Sequence, residues 1–149
     1  MNTFKGRPII AGDFIGEAVV THSGLNILAA FQKSALAKSK TLICSDQNNK
    51  ELFGKNLTGK IICLPQTIGS TTGGMILQTV TKIGIGPAAL LFADDIDSLA
   101  AAGVLLSEIW LNKKIITIDR LGEEFLNSVT DGAEITISAD GTVTYTNYN

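Results

Sequence analysis

Ser70 stands between glycines and hydroxyls in the run Leu64-Pro65-Gln66-Thr67-Ile68-Gly69-Ser70-Thr71-Thr72-Gly73-Gly74. A serine becomes reactive only where the loss of its proton is stabilised, and this run offers the means. Residues 61–64 before it are apolar and read as a strand. The spacing of Ile76, Thr79, Val80 and Ile83 after it predicts one face of a helix. The first turn of a helix has unpaired N–H donors and carries about half a positive elementary charge, which favours an anion or a hydroxyl losing its proton. Such a turn also occurs as a plain helix cap, with Ser and Thr accepting from the orphan N–H groups. It is not a P-loop, because no Lys-Ser/Thr follows the glycines. It is not a G-x-S-x-G elbow either, because Ile68 stands where the first glycine belongs.

Other reactive types are few. His22, in Thr21-His22-Ser23-Gly24, is the one histidine, so a Ser-His-Asp hydrolase would have to use it as base. It reads as a hydrogen-bonded strand end or as a phosphoryl carrier. Cys44 and Cys63 close apolar segments and read as buried small hydrophobes. Two cysteines fall short of the four ligands of a closed metal site, so no metal is expected on this chain. Gln47 and Asn48 lie in Ser45-Asp46-Gln47-Asn48-Asn49-Lys50, either a solvated loop or a set of amides facing a site beside Ser70. Arg120, in Asp119-Arg120-Leu121-Gly122, has two readings: a bidentate carboxylate ligand, or a partner of Asp119 or Glu123.

The elements that must position these groups follow from the hydrophobic pattern. Strands are expected at 8–11, 16–21, 41–44, 61–64, 88–92, 114–118, 133–138 and 142–146, with helices at 28–37, 72–83, 97–111 and 123–129. The last two strands are joined through Asp140-Gly141, a hairpin signal, and their alternation predicts one wet face. Residues 88–92 are apolar throughout, as in a strand covered on both faces. Ile96, Leu99, Ala100, Gly103, Val104, Ser107, Trp110 and Leu111 form one stripe of the third helix. Asp94, Asp95 and Asp97 are expected at its positive start, and Lys113 and Lys114 after its negative end. The centre alternates strand and helix, which predicts parallel pairing, with antiparallel strands on both sides. The expectation is one α/β domain over 1–149, a mixed sheet or barrel around a parallel strand–helix–strand centre.

Composition narrows the function classes. With 149 residues and 45% hydrophobic content, the chain can bury a full core. Its net charge of −2, without a dense Lys/Arg cluster, points away from nucleic acid. No apolar run approaches the roughly 20 residues of a membrane helix. Gly12 and Asp13 interrupt any signal-peptide core, so a cytoplasmic protein is expected.

An ordered series of segments carries a family resemblance over nearly the whole chain. It begins with Lys5-Gly6-Arg7-Pro8, Gly12 and Gly16, then Leu25-Asn26, Ala30 to Leu36, and Cys44 to Asn49. It continues through Leu57-Thr58-Gly59-Lys60, Pro65 to Gly74, Gly86 to Ala93, Ile96 to Val104, and Asp119 to Gly122. On these residues the chain resembles the small subunit of aconitase X, the swivelling-domain partner of a larger dehydratase subunit. The resemblance implies a swivelling β/β/α domain and a hydro-lyase active only as a two-subunit complex. It implies an iron–sulfur cluster bound by the large subunit, and a serine at a helix start as base, which maps onto Ser70. Gly69, Thr71, Thr72, Gln47 and Asn48 are then the substrate-binding candidates, with backbone N–H groups near Thr71 and Thr72 holding negative charge. The Ile-Gly-Ser-Thr-Thr-Gly-Gly form is similar to the bacterial two-subunit type, which implies dehydration of the small hydroxy acid cis-3-hydroxy-L-proline. The alternatives are a phosphomevalonate dehydratase small subunit, or a non-catalytic swivelling module carrying phosphoryl groups on His22.

Overall fold

The computed structural model describes residues 1–147. Its elements in chain order are β1 (Asn2–Lys5), β2 (Arg7–Ile10), β3 (Phe14–Val20), β4 (Leu25–Asn26), α1 (Ile27–Leu36), β5 (Ile61–Leu64) and β6 (Thr67–Ile68). Then follow α2 (Gly73–Lys82), β7 (Ala89–Phe92), α3 (Ser98–Leu111), β8 (Ile116–Asp119), α4 (Glu123–Ser128), β9 (Glu134–Ile137) and β10 (Thr142–Thr146). Eight strands form one sheet in the order β1-β10-β9-β3-β5-β7-β8-β2. Its two outer strands are consecutive in the chain and joined by Gly6 alone, so the sheet curls into a barrel. Gly6 N–H donates to the Gly141 carbonyl at 3.0 Å, which extends the β1–β10 ladder up to the point where the chain passes into β2.

Strands β3, β5, β7 and β8 pair in parallel, and the remaining pairs of this sheet are antiparallel, as the alternation of strands and helices predicts. Because side chains alternate along a strand, the sheet divides the core in two. Ile62 and Leu64 of β5, with Leu90 and Phe92 of β7, face Phe31, Leu77 and Val104 of the helices. Ile61, Cys63, Ala89 and Leu91 face the barrel interior, with Phe125 and Leu126 of α4, Ile135, Ile137 and Tyr145. Each such fully buried aliphatic or aromatic side chain contributes about 1.5–3 kcal/mol. On β9 the isoleucines are buried while Glu134 and Thr136 are exposed, so its wet face is observed.

Several expectations change. Residues 41–44 make only an isolated bridge, Ile43 to Asn56, because they pair with the chain returning at 55–57 and not with the main sheet. The N-terminal strand β1 and the two-residue strands β4 and β6 carry too short a pattern to be seen in sequence. On α2 the buried positions are Gly73, Gly74, Leu77, Val80 and Thr81, whereas Thr79 and Ile83 face solvent. The α3 stripe is buried only through Ser107, and Trp110 is 72% exposed. Lys113 leaves its own helix and donates to the Thr81 and Lys82 carbonyls at the end of α2, at 3.3 and 2.9 Å. No helix among the described residues is long and apolar enough to cross a membrane.

Helices α2 and α3 cross at Gly74 and Gly103. A Cβ on Gly74 would lie 2.9 Å from the Leu99 carbonyl oxygen, a backbone atom that yields only if the helix moves. Gly74→Ala is therefore expected to destabilise the protein by about 1–3 kcal/mol. Thermal unfolding checks this, as a melting temperature lowered by several degrees.

Candidate active site at the start of helix α2

The carboxyl ends of β3, β5, β7 and β8 share one end of the barrel, where open α/β sheets hold their ligands. From β5 the chain runs through Pro65 and Gln66 into β6, which pairs in parallel with β4. Thr67 is held by Asp97, which accepts both its hydroxyl hydrogen bond and, at 3.3 Å, its N–H. Asp97 also caps α3, accepting from Ala100 N–H at 3.0 Å. Asn26 caps α1, accepting from Ala29 N–H at 3.1 Å, and pairs in register with Ile68. The segment leading to Ser70 is thus anchored to the starts of two helices and itself begins a third.

Gly69 has φ +98°, a conformation open to glycine, and a Cβ there would lie 2.7 Å from the Asn26 side chain. Ser70, Thr71 and Thr72 follow, all exposed. Ser70 Oγ accepts from Thr72 N–H at 3.1 Å and sits 2.9 Å from Thr72 Oγ1. The Ser70 carbonyl accepts from Gly73 N–H at 3.0 Å. Helix α2 has no side-chain cap bond and no acidic residue in its first turn. Its positive end is left uncompensated beside the Ser70 oxygen. An alkoxide at Ser70 would have two donors within reach, Thr72 N–H from the backbone and Thr72 Oγ1–H from the side chain. Hydrogen bonds to a charged form favour that form. The Thr72 N–H, expected to hold charge on a substrate, is instead engaged by the serine itself.

The other sequence candidates are placed as follows. Gln47 lines a cavity of about 420 Å³ with Lys33, Ala37 and Phe53. It lies toward the end of α1 opposite the Asn26 cap. Asn48 is exposed on the same loop, its N–H held by Asp46 Oδ1 at 3.0 Å. Neither amide side chain bonds to the Ser70 turn among the described residues. Arg120 pairs with Asp95 through Nε at 2.9 Å and a second nitrogen at 3.3 Å. It cannot take Asp119, whose carboxylate is buried and holds Arg7 at 2.9 and 2.6 Å. Cys44 lies in the helix-side core and Cys63 in the barrel interior, and burial raises both thiols. No group of three or more His, Cys, Asp or Glu among the described residues could hold a metal ion. Two thiols on opposite faces of a sheet do not fit an iron–sulfur cluster, so this chain supplies no step through one. Asn26 and Asp97, which build the turn, were missed as site residues; a capping residue before a helix is the one sequence signal both carry.

His22 stands at the end of β3, on a cleft of about 510 Å³ that it shares with Glu51, Lys55, Asn127, Thr130 and Asp131 and with none of residues 66–75. Both its ring nitrogens face acceptors, Nδ1 to Glu51 Oε2 at 2.7 Å and Nε2 to the Leu126 carbonyl at 3.1 Å. Only the doubly protonated ring donates at both. The hydrogen bond to Glu51 raises the His22 value above 6.5, against partial burial. Burial pushes Glu51 up, but its hydrogen bonds from His22 and Thr21 bring it lower than usual. A raised histidine stabilises fully below its unfolded value and loses this as pH rises through the folded one; a lowered carboxylate loses its contribution as pH falls. The stability difference between wild type and His22→Asn should be largest between about pH 4.5 and 6.5 and shrink above that range. Denaturant titrations across pH 4–9 test this, and a flat difference contradicts it.

Comparison with known proteins agrees with this architecture. The phosphomevalonate dehydratase small subunit of Pyrococcus furiosus is 30% identical over 105 residues, 70% of this chain and 72% of that protein. That of Methanocella arvoryzae is 28% identical over 138 residues, 93% of this chain and 92% of that one. The crystal structure of Thermococcus kodakaraensis aconitase X in its holo-form superposes with a TM-score of 0.82, at 23% identity, covering 99% of this chain and 100% of that one; it shows a shared fold. Residues 3–145 match the family model of the aconitase X swivel domain, and the chain belongs to that family.

Proposed function

We propose that this chain is the small subunit of a cytoplasmic iron–sulfur hydro-lyase and supplies Ser70 as the base. The observation that carries the reading is the Ser70 oxygen, exposed at the start of α2, accepting from Thr72 N–H and lying 2.9 Å from the Thr72 hydroxyl. The substrate class is a β-hydroxy carboxylate. Ser70 Oγ, as alkoxide, takes the proton from the carbon bearing the carboxylate. The electron pair of that C–H bond forms the carbon–carbon double bond, the β-carbon–oxygen bond breaks, and the departing hydroxide takes up a proton from solvent to leave as water. The cluster that the family implies belongs to the large subunit, where it would supply Lewis acidity toward the departing hydroxyl. Gly69, Thr71 and Thr72 shape the site on this chain. Gln47 and Asn48 stand outside the turn and carry no step.

Among substrates of this class we assign cis-3-hydroxy-L-proline. What supports the choice is charge. Residues 64–81 contain no charged side chain, Asp97 holds Thr67, and Asp94 N–H donates to the Pro65 carbonyl at 3.2 Å. The two arginines are paired, Arg7 with Asp119 and Arg120 with Asp95. A phosphate would find no unpaired arginine on this chain, whereas the ammonium of an imino acid suits aspartates. The names of the relatives favour the second reading, phosphomevalonate, with the phosphate-binding cations on the large subunit. A phosphohistidine carrier is disfavoured because both nitrogens of His22 are engaged.

In the assembled two-subunit enzyme, Ser70→Ala should lower turnover by about 10²- to 10⁴-fold while the subunits still co-elute. Turnover retained by this variant would remove Ser70 from the chemistry. Thr72 makes no side-chain cap bond, so Thr72→Val should leave α2 intact. It should cut kcat about 10- to 100-fold and move the pH optimum upward, since the alkoxide loses one donor. Parallel assays with cis-3-hydroxy-L-proline and phosphomevalonate decide the substrate.

A further inference from the structure

We propose that Asn26 is a substrate-binding residue of the Ser70 site, with its Nδ2 amino group donating to a carboxylate oxygen of the β-hydroxy acid. The inference rests on the dehydratase reading and names a group that neither the sequence pattern nor the family match assigns.

The argument begins with the cap. Ala29 N–H donates to one end of the Asn26 carboxamide, at 3.1 Å, and a donor can face only the oxygen. That contact fixes the amide orientation and places the amino group at the other end. Nδ2 makes no hydrogen bond among the described residues, whereas Oδ1 is engaged. Asn26 is half-buried, yet no buried side-chain polar atom among the described residues lacks a partner. The unengaged amino group therefore reaches solvent.

Its position comes from the β4–β6 pairing, which sets Asn26 opposite Ile68. The carboxamide lies flat against Gly69, since a Cβ there would stand 2.7 Å from Cγ, Nδ2 and Oδ1 alike. Successive Cα atoms are about 3.8 Å apart, so the amide borders the residue joined directly to Ser70. Gly69 thereby serves two needs at once: its positive φ makes the turn, and its missing side chain gives the amide room.

The residue type carries the rest. Ser, Thr and Asp cap helices as well as Asn does, so the cap alone does not call for an amide. What Asn adds is a neutral donor. In this turn Thr72 N–H is held by Ser70, and the nearby charged side chains are aspartates, which repel a carboxylate. As Ser70 removes the proton, negative charge grows on the substrate carboxylate, and a donor placed there binds the transition state more strongly than the ground state.

Two variants that preserve the cap test this in the assembled enzyme. Asn26→Ser removes the amino group without adding charge; Asn26→Asp replaces it with a second oxygen. Both should leave the melting temperature and subunit co-elution near those of wild type. Asn26→Ser should lower kcat/KM by about tenfold or more, and Asn26→Asp further, because the carboxylate meets a repelling anion. Binding of cis-3-hydroxy-L-proline to Ser70→Ala enzyme, measured by calorimetry, should weaken when Asn26→Asp is added. A kcat/KM within twofold of wild type for Asn26→Ser, or a loss that only tracks a fallen melting temperature in both variants, overturns the role. Retained turnover in Ser70→Ala fails the dehydratase reading instead, so the two outcomes are distinct.

Discussion

The carboxylate of Asp119 ties the barrel seam to the turn that carries Ser70. It is buried at the end of β8, binds Arg7 of β2 through two hydrogen bonds, and accepts from Ile96 N–H at 2.8 Å. The first two contacts pin the outermost strand of the sheet where the barrel closes. The third fixes the loop before α3, and the next residue, Asp97, both caps α3 and holds Thr67. Thr67 opens β6, and β6 ends one residue before Gly69. A continuous series of charge-assisted hydrogen bonds thus joins the barrel seam to the turn that carries Ser70. Such bonds are roughly twice as strong as neutral ones, and breaking one inside a buried set leaves a charge without a partner.

Closure of the sheet has a second consequence. With the outer edges joined through Gly6, helices α1, α2 and α3 can pack on only the outer face, and the short helix α4 fills the interior. Phe125 of α4 meets Phe4 and Tyr145 edge-on, at 5.6 and 5.9 Å. The outer helices lie close enough for glycines to form the α2–α3 crossing. Tight packing of α2 against α3, and of α1 against α2, brings the starts of three helices to one region. Two of those starts are capped by side chains, at Asn26 and Asp97, and the third is not. The uncapped one follows Ser70.

An ordinary serine is a poor base because its anion has nothing to stabilise it. Here the oxygen accepts from Thr72 N–H and lies beside the Thr72 hydroxyl, at a helix start left without an acidic side chain. The turn is exposed on this chain, and the relatives are named as small subunits. This chain offers hydroxyls, backbone donors and an amide, while its two thiols are sealed in separate cores.

Much of this was legible in the residues themselves. The alternation of apolar strands with amphipathic helices specified the parallel centre, the Asp140-Gly141 hairpin specified β9 and β10, and Gly69 to Gly74 marked the turn with Ser70 in it. Those signals are local, because backbone geometry and side-chain period act over a few residues. The barrel closure was not legible: β1 is four residues long, with Phe4 its one large apolar side chain, and only its pairing with Tyr145, Thr144 and Val143 makes it a strand. The partners of charged groups were equally hidden. Arg120 has Asp119 beside it in sequence, yet Arg7 takes that carboxylate from 112 positions away, leaving Arg120 to Asp95. Asn26 and Gly69 show no relation in the chain until β4 and β6 pair. Sequence determined the helices, the central strands and the turns; the tertiary structure decided which marginal segments pair as strands and which side chains meet, because a contact between distant residues depends on every element that brings them together.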